Sequence, residues 1–155
     1  MIVHPLLAEQ RFSRALRALL GKPASFAAVG IHFVEYRFPY LYTDLDIPAH
    51  HRQLRLRVDG SDYDYRPVDG RWVNTNGEIL RQGSGCVPSN NGFHPEPMEG
   101  WDGPWLCFIG WSSWHNHPSH QDTPWQTIRS SPDFSPVALI RQLHADLNKP
   151  GIRFV

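Results

Sequence analysis

An α+β single domain is the fold class that the sequence predicts. Three observations carry it: amphipathic helical segments near both ends, closely spaced turn dipeptides between them, and a long Gly/Pro/Asn-rich stretch late in the chain. With 155 residues the chain is long enough to bury a core without disulfide or metal staples, so residues 1–155 read as one domain.

In LLAEQRFSRALRALLGKP, Ala8, Phe12, Ala15, Leu16 and Leu19 recur at helical spacing, arginines cover the other face, and Gly21 and Pro23 end the run. An N-terminal helix follows from that pattern. From Phe26 to Tyr36 the residues alternate and are rich in β-branched and aromatic types, and from Gln53 to Val58 leucine alternates with arginine. Both stretches read as half-buried strands. Asp59-Gly60, Asp69-Gly70 and Asn76-Gly77 then signal tight turns around DYDYRPV, RWV and EIL. Turns so close together favour an antiparallel meander over βαβ crossovers. Residues 82–104 hold too much Gly, Pro and Asn for regular structure, while their aromatic content argues against disorder, so an ordered loop is expected. Ser135 as cap, Pro136 in the first turn and the stripe Val137, Ile140, Leu143 and Leu147 predict a C-terminal helix that Lys149-Pro150-Gly151 terminates.

Composition narrows the function classes. Fifteen basic and fifteen acidic residues cancel, which gives no general attraction to nucleic acid or anionic lipid. No stretch has the ~20 apolar residues of a membrane helix, and charge interrupts the N-terminus too early for a signal peptide, so the expected location is the cytoplasm. Cys86 and Cys107 make at most one pair, no disulfide framework, and both read as thiols. A Gly-x-Ser-x-Gly elbow and a phosphate-cradling glycine loop are both missing from the sequence.

The chemistry concentrates in residues 104–125, PWLCFIGWSSWHNHPSHQDTPW. Cys107 there has the features of a nucleophile only if it is exposed and has a base or an oxyanion donor beside it, and His115 and His117 are the nearest candidates. Its neighbours Leu106, Phe108 and Ile109 equally suit a buried cysteine that merely packs, and Trp105, Trp111, Trp114 and Trp125 suit anchors for a loop without a hydrogen-bond ladder.

In their order, Phe38-Pro39 with Pro48 in FPYLYTDLDIP, His94-Pro95 in FHPEP, Cys107 in PWLCFIGW, Pro124-Trp125 and the helix from Ser135 resemble the ubiquitin-conjugating enzyme fold and its divergent bacterial relatives. The resemblance implies a UBC-like arrangement of N-terminal helix, four-stranded antiparallel meander, long ordered loop carrying the cysteine, and C-terminal helix. It further implies that Cys107 takes a ubiquitin-like modifier as a thioester from an activating enzyme and passes it to an amine, without a cofactor, in a setting such as antiviral defence. The family motif His-Pro-Asn reads His-Pro-Glu here, so support of the attacking amine falls to Asn116, His115 or His117, with His94 from the motif itself. Some bacterial members of that fold lack the cysteine, and a catalytically silent scaffold is the alternative expectation.

A zinc-binding protein is the third reading. His115, His117 and His120, with Cys86, His94 and Cys107, are the residue types of a mixed N/S tetrahedral site, although neither cysteine has a partner at finger spacing. Carboxylate for a ligand or base would come from Glu35, Glu96, Glu99 or Asp122.

Overall fold

The N-terminal helical run closes before residue 28, and the chain then enters a sheet that fills the middle of the molecule. The computed structural model describes residues 3–155. Three helices come first: α1 (Pro5–Ala15), α2 (Arg17–Gly21) and α3 (Pro23–Ala27). The strands β1 (Ile31–Arg37), β2 (Tyr40–Ile47), β3 (Arg52–Asp59) and β4 (Asp69–Val73) form one antiparallel sheet in the order β1-β2-β3-β4. Short pieces follow: β5 (Pro88–Ser89), β6 (Phe93–His94), β7 (Trp105–Leu106), α4 (Ser112–His115) and α5 (Trp125–Ile128). The chain ends with α6 (Pro136–Leu147) and β8 (Arg153–Phe154), which pairs with β5. No helix among the described residues is long and apolar enough to cross a membrane.

The meander is present, but its strands differ in part from those expected. The single N-terminal helix is broken at Leu16 and Lys22, and Phe26, expected at the start of a strand, is buried in α3 with Arg141 over its ring. Strand structure begins only at Ile31, after Gly30 turns the chain at φ +90°. The Phe38-Pro39 to Pro48 segment holds the most regular strand of all. In β2, Leu41, Thr43, Leu45 and Ile47 are buried and Tyr40, Tyr42, Asp44 and Asp46 face outward, with both edges paired. Asp69-Gly70 is no turn, because Gly70 lies inside β4 opposite Val58, where the indole of Trp111 and Leu106 press on the backbone. Asn76-Gly77 does turn: the Asn74 side chain accepts from the amides of Asn76 and Glu78. DYDYRPV forms no strand, and Tyr63 from it is buried in the core.

One face of the sheet carries the core. Phe12, Leu16 and Leu19 from the N-terminal helices and Ile140, Leu143 and Leu147 from α6 pack with Leu41, Leu45, Ile47, Leu56 and Val58. Ser135 caps α6 by accepting the Ala138 amide at 3.2 Å, and Leu139 joins the buried stripe while Val137 stays half-buried.

The outer face is charged and aromatic. Arg57 stands opposite Arg71 and Asp59 opposite Asp69, an unfavourable pairing of like charges if left alone. It is relieved by Arg71 Nε reaching Asp69 at 3.4 Å, and by Arg57 and Arg71 stacking over Tyr40 and Trp101. Arg81 grips Asp102 through two bonds of 2.9 Å, and Arg71 donates to the Asp102 carbonyl. These contacts hold the end of the glycine-rich stretch against the sheet, and the side chains of Asn90 and Asn91 tie its middle to the carbonyls of Gly151 and Pro150.

Gly70 sets how closely the segment after Cys107 approaches the sheet. A Cβ there would lie 2.7 Å from Trp111 and 2.8 Å from Leu106. Gly70→Ala should therefore overpack the core by about 1–3 kcal/mol and lower Tm by roughly 3–10 °C. An unchanged Tm would show that the Trp111 ring is free to retreat.

Candidate functional site around Cys107

The cysteine lies where a small hairpin meets a turn. Phe93 pairs with Leu106 and His94 with Trp105, and the Cys107 amide donates to the Gly92 carbonyl at 2.8 Å. The His-Pro dipeptide is thereby placed beside the strand that delivers the cysteine. Gly92 sits at φ +96° against the Phe108 ring, which in turn packs edge-on against Phe93 at 5.0 Å.

From Cys107 the chain loops back and is clasped by Ser113. The Ser113 hydroxyl, 1 % exposed, donates to the Leu106 carbonyl at 2.7 Å and accepts from the Leu106 amide at 3.3 Å. Next to it, the Ser112 amide donates to the Val68 carbonyl at 2.8 Å, and Trp111 is buried against β4. The reading of the sequence assigned nothing to Ser113, and no spacing rule marks it.

The three histidines of HNHPSH take different positions. His120 is the one that reaches the thiol, with Nε2 at 3.5 Å from Cys107 Sγ and its ring stacked on Trp114 at 4.3 Å and 9°. His117 turns elsewhere: its Nδ1 accepts from the Ser119 hydroxyl at 2.7 Å, and its ring lies nearly parallel to Trp105 at 5.4 Å. His94 also stacks on Trp105, at 4.1 Å and 10°. His117 and His120 are 5.2 Å apart, so imidazoles and indoles form one connected group beside the sulfur.

His115 faces inward. Its Nε2 accepts the Gly110 amide at 3.1 Å, at a residue with φ +99° whose missing Cβ leaves room for Leu139. Burial holds the His115 imidazole below its ordinary value, opposed by the backbone of Thr123 and reinforced by His120. An imidazole whose ring nitrogen already accepts an amide proton is committed to the loop. Asn116 is exposed and donates to the Ser112 hydroxyl at 3.1 Å.

Burial pushes the Cys107 thiol above its ordinary value, and the sulfur is half-buried. Cys86 lies in a separate groove of about 310 Å³ with Asp44, Arg55 and Leu80. Glu96 stands 3.9 Å from His94, and Glu35, Glu99 and Asp122 are exposed. Among the described residues no three His, Cys, Asp or Glu side chains come together in a group that could hold a metal ion. A cleft of about 280 Å³ borders the cysteine group, lined by His115, Asn116 and His120 together with Tyr65, Arg66 and Trp125.

No protein-family model matches the chain, and no curated protein is significantly similar to it.

His115 makes a pH prediction. Its folded-state value lies below the unfolded 6.5, so the stability it contributes is present above pH 6.5 and is lost as pH falls through the lower value. His115→Gln keeps an acceptor for Gly110 without titrating. Melting curves from pH 7.5 to 5 should show the wild type losing stability relative to this variant on acidification, and parallel curves would refute the assignment.

Proposed function

We propose that the protein is a thioester carrier of the ubiquitin-conjugating type, which accepts a ubiquitin-like modifier on Cys107 from an activating enzyme and transfers it to an amine. The observation that carries this reading is the contact between Cys107 Sγ and His120 Nε2 at 3.5 Å, on a turn that the β6–β7 pairing sets beside His94-Pro95. The α+β order of N-terminal helix, four-stranded antiparallel sheet and C-terminal helix is compatible with a UBC-like fold. Cytoplasmic location and a bacterial antiviral setting belong to the same proposal.

The chemistry runs in two steps. A thiol pushed up by burial is mostly protonated at neutral pH, and an imidazole nitrogen facing it takes the proton as sulfur attacks the donor thioester. The new C–S bond forms on Cys107, the donor's C–S bond breaks, and the departing thiolate takes the proton. An amine then attacks the carbonyl, an amide forms, and Cys107 leaves as thiolate, which recovers the amine's proton. The Cys107 amide is spent on the Gly92 carbonyl, whereas Asn116, which gives one amide hydrogen to Ser112, keeps a second as a candidate donor to the oxyanion.

A second reading, a catalytically silent scaffold of the same fold, is favoured by one observation. Half-burial raises the Cys107 thiol, and burial is the only cause of that shift.

Reaction with a synthetic peptide ending in Gly-Gly and activated as a small thioester separates the two. Non-reducing intact mass spectrometry should find a hydroxylamine-sensitive adduct on Cys107, absent in Cys107→Ala and formed at least about tenfold more slowly in His120→Ala. A wild-type protein that stays unmodified while its Cys107 still reacts with iodoacetamide would leave the scaffold reading standing alone.

A further inference from the structure

The cleft beside His120 carries an uncompensated positive charge. Arg66 lines it, exposed, and its guanidinium makes no ion pair and no hydrogen bond among the described residues. Arg11, Arg55, Arg71 and Arg81 are each paired with an aspartate. Arg66 is held only through its backbone, whose amide donates to the Asp62 carbonyl at 2.9 Å. Among the described residues no carboxylate lines the cleft to neutralise it.

The rest of the wall suits an anion with an organic body. Ser112 accepts from Asn116 and so keeps its hydroxyl hydrogen to donate, while His115, held below its ordinary value, adds no charge at neutral pH. Pro124 and Trp125 supply apolar surface. A lysine side chain bound there would meet a guanidinium and no counter-charge, whereas a carboxylate would meet a guanidinium and a hydroxyl donor. His120 belongs both to this wall and to the contact with Cys107, so a ligand in the cleft is one imidazole away from the sulfur.

We propose that the cleft binds the carboxylate of the acceptor, a peptide whose reacting amine lies close to an acidic residue or to a free C-terminus. For the reaction, though not for the binding, this rests on the thioester reading. The bound carboxylate presents the neighbouring amine to the Cys107 thioester; the C–N bond forms as the C–S bond breaks, and His120 takes the amine's proton and returns it to the departing sulfur.

Fluorescence anisotropy on the unloaded protein tests the binding, with a labelled pentapeptide that has lysine between two glutamates, its glutamine counterpart, and the same neutral sequence with a free or an amidated C-terminus. The wild type should bind the glutamate peptide about fivefold tighter than the amidated glutamine one, a preference that disappears in Arg66→Ala and reverses towards an all-lysine peptide in Arg66→Glu. The free C-terminus should rescue the neutral peptide if that carboxylate is the group recognised. Equal binding of acidic and neutral peptides by the wild type, or a preference that survives in Arg66→Ala, overturns the proposal. Discharge of Cys107 preloaded with the Gly-Gly peptide should follow the same order, and binding preference without discharge preference overturns the acceptor role. Failure to load Cys107 at all counts against the thioester reading and leaves the binding result to decide the ligand.

Discussion

The buried hydroxyl of Ser113 is the constraint on which the geometry of the cysteine depends. Both polar groups of the Leu106 peptide, its amide and its carbonyl, are directed at this one oxygen. Leu106 is itself buried, so leaving either group unpaired would cost about 1–3 kcal/mol. That penalty keeps the chain closed from Leu106 to Ser113, with Cys107 as the first residue of the enclosed turn. Closure by a side chain does not require a long ladder, which is how a two-residue strand can position a functional group.

The clasp in turn leans on the sheet. Ser112 bonds to Val68 just before β4, and Trp111 fills the space that Gly70 leaves open. A buried indole contributes far more area than a serine, so Trp111 supplies the energy and Ser113 the register. The tryptophans divide by role. Trp111 and Trp125 are buried, and the Trp125 indole nitrogen donates to the Asp64 carbonyl at 2.7 Å; Trp105, also buried, and the half-buried Trp114 turn their faces to histidines. Flat aromatic faces orient an imidazole without consuming its ring nitrogens, which leaves Nε2 of His120 directed at sulfur.

Much of this scaffold was legible in the residues, and the places where it was not share a cause. The helix from Pro136 announced itself through Ser135 and its apolar stripe because capping and periodicity are local. Alternation in YLYTDLDI was just as visible, but the segment was noted only for its prolines, Pro39 and Pro48, as a family-like motif, and the central strand between them went unassigned. Asp69-Gly70 looked like a turn because the reason for its glycine, the Trp111 ring, lies far away in sequence. At the site, Cys107, His94, His115 and His117 were all singled out, yet His120 entered only as a metal ligand. Spacing puts histidines on one stretch of chain; only the fold around Trp114 decides which of them meets the thiol.

A neutral chain can still place charge with effect. On the outer face of the sheet, like charges oppose each other across β3 and β4, and the arrangement holds because Trp101 and Asp102 arrive from the glycine-rich stretch to meet Arg71 and Arg81. That stretch runs directly into β7 and Cys107, so the sheet controls the approach to the cysteine from one side through Arg71 and from the other through Val68 and Gly70. With both approaches fixed, the turn that bears the thiol is a segment held at two ends. Arg66, which has no acidic partner among the described residues, stands apart from that bracing and lines the cleft instead, so the arginines that brace the sheet are distinct from the one beside His120.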